Sequence, residues 1–314
     1  MARVACIGEC MIELKQAQGG LFSRSYGGDT LNTAVYLARL GVEVDYITAL
    51  GIDPMSDEML AGWAAEGVGT GRVARLKGKL PGIYMIQTDE FGDRRFFHWR
   101  DNSAARSLMD LPESHDTLDA LATYEVVYLS AITLSIYSAP GRTKLIGALN
   151  RARKHGARIV FDTNFRARGW PDPDVARAVF DEAFAASDIV LASMEDLLPL
   201  YPDESDEQLM RRIPSSEAVL KRLRPGSIVR FEGISHEVRA EPVTRPVVDT
   251  TAAGDSFSAA YVAARLEGVG PTEAAQAGHR LGGVVVGYPG AIIPRSAMPP
   301  RTLPDPAPAR KTSR

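Results

Sequence analysis

Residues 249–257 read D-T-T-A-A-G-D-S-F, a run of small residues around Gly254 that opens directly into a helical pattern. The stretch that follows, S-F-S-A-A-Y-V-A-A-R-L-E-G, sets Phe257, Ala260, Tyr261 and Ala264 at helical spacing and ends on Gly268, a C-cap signal. Asp255 is thereby placed in the first turn of a helix. Unpaired backbone N–H groups and the helix dipole make such an end attractive to anions, and Ala252, Ala253 and Gly254 are small enough to allow close approach. A carboxylate inside an anion site has two readings. Asp255 either caps the helix and complements its dipole, or accepts a proton from a hydroxyl while the amides hold a phosphoryl group.

Upstream, apolar runs alternate with amphipathic segments. V-A-C-I-G precedes a helical stretch over Thr30–Leu40 that stops at Gly41; V-D-Y-I-T-A-L precedes a second over Ser56–Glu66 that stops at Gly67. The rhythm continues through E-V-V-Y-L-S, a helix over Ala139–His155, A-R-I-V-F-D, a helix over Asp174–Ala186, and D-I-V-L. This alternation predicts a mainly parallel sheet flanked by helices. Pro81–Thr88 and Arg94–Arg100, joined by D-E-F-G-D, instead read as a hairpin, either a lid over the core or an antiparallel sheet edge. After Ile293 the chain is rich in Pro, Arg and Ser, so 1–294 is expected to be one domain and 295–314 a disordered tail.

A net charge of -3 over 314 residues supplies no basic field for nucleic acid or an anionic membrane, which leaves small molecules as the expected partners. No run approaches the ~18 apolar residues of a membrane span, and M-A-R-V-A-C-I-G enters a strand without a signal-peptide pattern, so a cytoplasmic protein is expected. Cys6 and Cys10 are too few for a disulfide framework or a zinc cluster and read as core thiols. There is no G-x-x-x-x-G-K-[ST] loop. Gly8-Glu9-Cys10 stands where a dinucleotide fold would carry G-x-G-x-x-G.

Two separated motifs, Y-G-G-D-T-L-N-T-A at 26–34 and D-T-T-A-A-G-D-S-F, together with the order of elements between them, resemble the ribokinase-like (PfkB) carbohydrate kinases from about residue 3 to Pro294. The resemblance implies an α/β fold, a three-layer α/β/α sandwich with a mainly parallel central sheet and a small β-sheet lid formed by segments about 9–27 and 80–101. It implies that Asp255 is the general base toward a sugar hydroxyl, that the amides of Ala252, Ala253 and Gly254 form the anion hole, and that ATP and Mg²⁺ are used. The segments G-E-C-M-I-E-L, L-P-G-I-Y-M-I, F-H-W-R-D-N-S-A-A-R, Y-L-S-A-I-T-L, F-D-T-N-F-R and P-G-A-I-I-P look most like family members that phosphorylate 2-keto-3-deoxy sugar acids.

A sugar acid calls for forked cationic donors, and the resemblance assigns Arg100 and Arg166 to the carboxylate, Tyr84 to the lid, and Gly28, Asp29 and Asn32 to the hydroxyl side. Each has a plainer reading: Tyr84 as hairpin packing, Arg166 as a solvated loop residue, Asp29 and Asn32 as a helix cap and a helix-surface amide. His98 stands where relatives carry Tyr and is included at the substrate. For the nucleotide, the resemblance offers Ser193 in S-M-E-D, Arg230 and Gly233 in I-V-R-F-E-G, Gly254, and His279. Asp196 is expected to order Mg²⁺ through water, or else to be a surface acid; Asp249 and Thr251 resemble a K⁺ site. A homo-oligomer through the lid strands is expected. Kinases for fructose, ribose or 2-keto-3-deoxygalactonate, and a degenerate nucleotide-binding regulator, are the competing functions.

Overall fold

The alternating apolar pattern of the strands divides between two helical layers, and this fixes the architecture. The computed structural model describes residues 3–88 and 94–300. The strands, in chain order, are β1 Val4–Ile7, β2 Met11–Gln16, β3 Phe22–Gly27, β4 Val44–Ile47, β5 Ala49–Gly51, β6 Ala74–Leu76 and β7 Ile83–Thr88. They continue with β8 Arg94–Trp99, β9 Val126–Ser130, β10 Arg158–Asp162, β11 Ile189–Ser193, β12 Glu217–Lys221, β13 Gly226–Phe231 and β14 Ile234–Arg239.

The large sheet has the order β14-β13-β12-β11-β10-β9-β1-β4, parallel from β4 to β12 and antiparallel from β12 to β14. Val127, Leu129, Ile159, Phe161, Val190 and Ala192 face one core with the helices Ala139–Lys154 and Pro173–Ala186. Their neighbours Val126, Tyr128, Val160, Ile189 and Leu191 face the other, with Asp29–Arg39, Ala253–Leu266 and Pro271–Val285. Both faces of a parallel sheet must be covered, which is why consecutive positions in the middle of these strands are apolar. Cys6 and Cys10 are buried free thiols, as expected.

The chain departs from β1 in one direction toward β4, and β9 through β12 build in the other. The crevice beyond the carboxyl ends of β1 and β9 is therefore a topological switch point, where open α/β sheets bind ligands. Across it stands a second sheet of order β3-β2-β7-β8, built by residues 11–27 and 83–99. The hairpin pairs antiparallel, Tyr84 opposite His98, while its turn, D-E-F-G-D, falls outside the described residues. Residues 295–298, expected to belong to a disordered tail, are instead part of the fold. Arg295–Ala297 forms a 3-10 turn, Arg295 binds Glu66 at 2.9 Å, and Ala297 and Met298 pack on the core. Apolar side chains and a charge partner hold that stretch; 301–314 lie outside the described residues. Among the described residues, no helix is long and apolar enough to cross a membrane.

Candidate active site

The parallel strands end in polar residues after apolar central runs: Ser130 on β9, Asp162 on β10, Ser193 on β11 and Lys221 on β12. Register sets Asp162 beside Ser130 and Ser193 beside Lys221. Over these ends lies the first turn of the helix Ala253–Leu266, entered through Ala252 at φ 61°, a left-handed backbone on a residue with a Cβ. Gly254 sits directly beneath the lysine: a Cβ built there would be 3.6 Å from Lys221 Nζ. The Ala253 amide turns inward to Thr250 O at 3.2 Å, so it is withdrawn from the expected anion hole. Tight chain reversal at Ala252 is the cause, and Ala252 and Gly254 remain as amide candidates.

Asp255 is half-buried, and its Oδ2 accepts from Asn32 Nδ2 at 2.8 Å. Burial, then the neighbouring charges of Asp29 and Asp162, push its carboxyl well above the usual range, against the pull of Asn32 and Lys221. Asp29 is raised as well, chiefly by burial, and accepts from Asn164 Nδ2 at 2.9 Å. Asp162 takes Tyr128 OH at 3.1 Å and Ser258 Oγ at 2.7 Å, and faces Lys221 Nζ at 3.8 Å. A base held near protonation and framed by hydrogen-bond donors is chemically suited to receiving a hydroxyl proton.

Gly28 opens the helix Asp29–Arg39 and must be glycine for space, since a Cβ there would lie 2.3 Å from Glu9 O. Gly27 backs onto Tyr84, whose hydroxyl donates to Glu13 and whose ring stacks on His98 at 5.9 Å between centroids. Partial desolvation, then the charges of Arg100 and Arg168, pull the His98 imidazole below its ordinary value. Arg100 pairs with Glu9, Nε to Oε2 at 2.9 Å. Arg166 is 63% exposed at its side chain, reaches Asp196 Oδ1 at 3.4 Å and donates to Phe165 O at 2.7 Å.

Ser193 caps the short helix Met194–Leu197 by accepting from Asp196 N at 3.2 Å, which buries Asp196 rather than leaving it a surface acid. Asp196 accepts from Thr163 Oγ1 at 3.0 Å and Phe165 N at 3.1 Å, and burial raises its carboxyl. His279 lies 2.9 Å from Ser227 Oγ, edge-on to Phe257, and burial with Lys221 nearby lowers it to about 4. Asp249 accepts from Thr251 Oγ1 at 2.6 Å and Gly290 N at 3.1 Å, joining two loops.

Arg230 and Gly233, expected at the nucleotide, are elsewhere. β13 runs antiparallel, so Ser227 meets Lys221 at the site while Arg230 pairs with Ala218 toward the opposite end of the sheet. There its guanidinium donates to Met210 O, Ile213 O and, at 3.0 Å, Ser215 O. Gly233 occupies the β13–β14 turn at φ 79°. The residue that sequence reading missed is Lys221, at the end of E-A-V-L-K, together with Asp162 and Asn164. A buried apolar strand closing on a charged residue was the available signal. Two surface recesses, one beside Arg177 and Tyr201 and one beside Arg222 and His236, contain none of these residues.

The fold and site are those of a sugar-phosphorylating α/β enzyme, and over residues 1–298 the chain matches, and belongs to, the pfkB family of carbohydrate kinases. Among its relatives is the 2-dehydro-3-deoxygluconokinase of Dickeya dadantii (strain 3937), 41% identical over 305 residues that cover 94% of this chain and 98% of the relative. That of Escherichia coli (strain K12) is 39% identical over 306 residues, covering 95% and 99%. Solved structures agree in fold. The fructokinase with bound ATP from Xylella fastidiosa superimposes with a TM-score of 0.81 at 21% identity, covering 95% of this chain and 96% of that one. The 2-dehydro-3-deoxygluconokinase from Thermotoga maritima gives 0.78 at 22%, covering 93% and 96%.

Proposed function

We propose that the protein transfers the γ-phosphoryl group of ATP to the primary hydroxyl of 2-keto-3-deoxygluconate, giving 2-keto-3-deoxy-6-phosphogluconate and ADP. The observation that carries the reading is Asp255, a half-buried carboxylate of raised pKa in the first turn of a helix, with Gly254 of that turn close to Lys221 Nζ. Asp255 takes the hydroxyl proton as the oxygen attacks phosphorus. Lys221 and the amides of Ala252 and Gly254 face the charge that develops on the transferred group. Lys221 and His279 mark the nucleotide side, with Ser193 at the neighbouring strand end.

The acid end is assigned to Arg100 and Arg166, with Tyr84 and His98 closing from the lid and Gly28, Asp29 and Asn32 lining the hydroxyl side. Relatives named 2-dehydro-3-deoxygluconokinase, at 36% to 41% identity, support this acceptor over a neutral sugar. Mg²⁺, when bound, offsets the phosphate charges. Among the described residues no three His, Cys, Asp or Glu side chains are grouped to cage a metal, and both Asp196 oxygens already accept bonds. Those residues fit an ion that keeps its waters, ordered by Asp196. Asp249 and Thr251 are assigned to K⁺, between the loops that Gly290 N ties together. A cytosolic location and a homo-oligomer through the lid strands belong to the same reading.

Offering ATP and Mg²⁺ with ketodeoxygluconate, ketodeoxygalactonate, gluconate, fructose and ribose, and following ADP release, tests it. Turnover is expected with the 2-keto-3-deoxy acids; turnover with fructose or ribose alone overturns the acceptor, and ATP binding without turnover favours a regulator.

A further inference from the structure

Glu9, just beyond β1 at the switch point, is a buried carboxylate that the reaction above leaves unused. It is 2% exposed. Its Oε2 engages one edge of Arg100, taking Nε at 2.9 Å and Nη2 as well, while Oε1 has no hydrogen-bond partner among the described residues. Its surroundings are the candidate substrate site. A Cβ on Gly28 would strike Glu9 O at 2.3 Å, and one on Gly82, just before the Tyr84 strand, would lie 3.0 Å from Oε1. The buried Tyr137 hydroxyl, also without a partner among the described residues, feels the Glu9 charge. A buried ion pair satisfied on one oxygen only is a poor source of stability, because desolvation offsets most of its attraction. What it does supply is orientation. Arg carries large rotamer freedom, and a carboxylate on the Nε–Nη2 edge turns the Nη1 end away from Glu9, toward a second anion.

We propose that Glu9 is a positioning residue that fixes Arg100 to receive the carboxylate of the sugar acid, and so sets the preference for acid over neutral acceptors. The proposal rests on the reading that Arg100 holds the acid end. Glu9→Gln, Glu9→Asp, Arg100→Ala and the Gln/Ala double variant, each checked for a native melting transition, are compared by KM and kcat. Glu9→Gln is expected to raise KM for ketodeoxygluconate roughly tenfold to a hundredfold, the range of a charge-assisted contact, with kcat changed less than about threefold and KM for ATP unmoved. Glu9→Asp is expected to recover part of that loss. The double variant should be no worse than Arg100→Ala alone.

A folded Glu9→Gln with wild-type KM, or effects that multiply in the double variant, overturns the proposal. If Glu9→Gln does not fold, Glu9→Asp decides: a KM equal to wild type overturns it, a raised KM with preserved kcat supports it. Arg100→Ala with unchanged KM sinks the acid-end reading and this proposal together, whereas a raised KM there beside an unchanged Glu9→Gln sinks the Glu9 role alone.

Discussion

Burial beside Asp29 and Asp162 makes Asp255 hard to ionise, and that difficulty is measurable in the folded protein without any substrate. Its folded pKa lies above the unfolded value, so the native state holds the proton more tightly. Stability is then fully present below the unfolded value near ~3.9 and declines as pH rises toward the folded one. Asp255→Asn keeps an acceptor for Asn32 Nδ2 and removes the charge. The variant is expected to lose on the order of 10² to 10⁴-fold in turnover while melting higher than wild type, with the gain larger at pH 8 than at pH 5. Melting curves at the two pH values check this; a gain equal at both, or turnover near wild type, contradicts the charge argument.

At the scale of elements, the helix Ala253–Leu266 begins through a left-handed alanine at φ 61°, a conformation that costs about 1 kcal/mol or more for a residue with a Cβ. Ala252→Gly relieves the strain but adds unfolded-state freedom, and these roughly cancel. Its stability is expected within about 1 kcal/mol of wild type with activity kept, whereas Ala252→Val, β-branched, should be less stable by about 1–3 kcal/mol and lose turnover. Urea unfolding distinguishes them, and equal behaviour of the two variants would show that the turn is not strained. The position of this helix was legible because small residues, an acid and a capped apolar period coincide. Asn32 and Asp29 were legible through their motif. Lys221 was not: E-A-V-L-K and I-V-R-F are both short apolar runs ending near a cation, and the pattern does not say that β12 runs toward the site and β13 away from it. Glu9 was hidden differently, because a buried carboxylate has the same letter as a solvated one. The stretch from Arg295 to Met298 read as tail because its contacts, Glu66 and the core, are far away in sequence.

Taken whole, the molecule keeps the residues proposed for the sugar side and a set of apolar side chains on opposite faces of one small sheet. Alternation along β7 and β8 puts Tyr84 with His98 on one face and Met85 with Phe97, Ile83 with Trp99 on the other. Phe97 and Trp99 stay 42% and 58% exposed, Phe22 joins them at 46%, and Leu14 lies opposite Met85. Large rings left exposed on one face of a sheet are the kind of surface a partner covers. An occupant of the same composition, a second copy meeting it face to face through a two-fold axis, would cover it without leaving an open edge. We therefore expect a dimer in solution, and expect Phe97→Glu with Trp99→Glu to halve the mass seen by light scattering while leaving the melting transition of the α/β core in place. Because Tyr84 and His98 ride on the same two strands, loosening this face should also raise KM for the sugar acid more than it lowers kcat. A wild-type protein that runs as a monomer at micromolar concentration, or a double variant that stays dimeric, removes the lid face from the assembly.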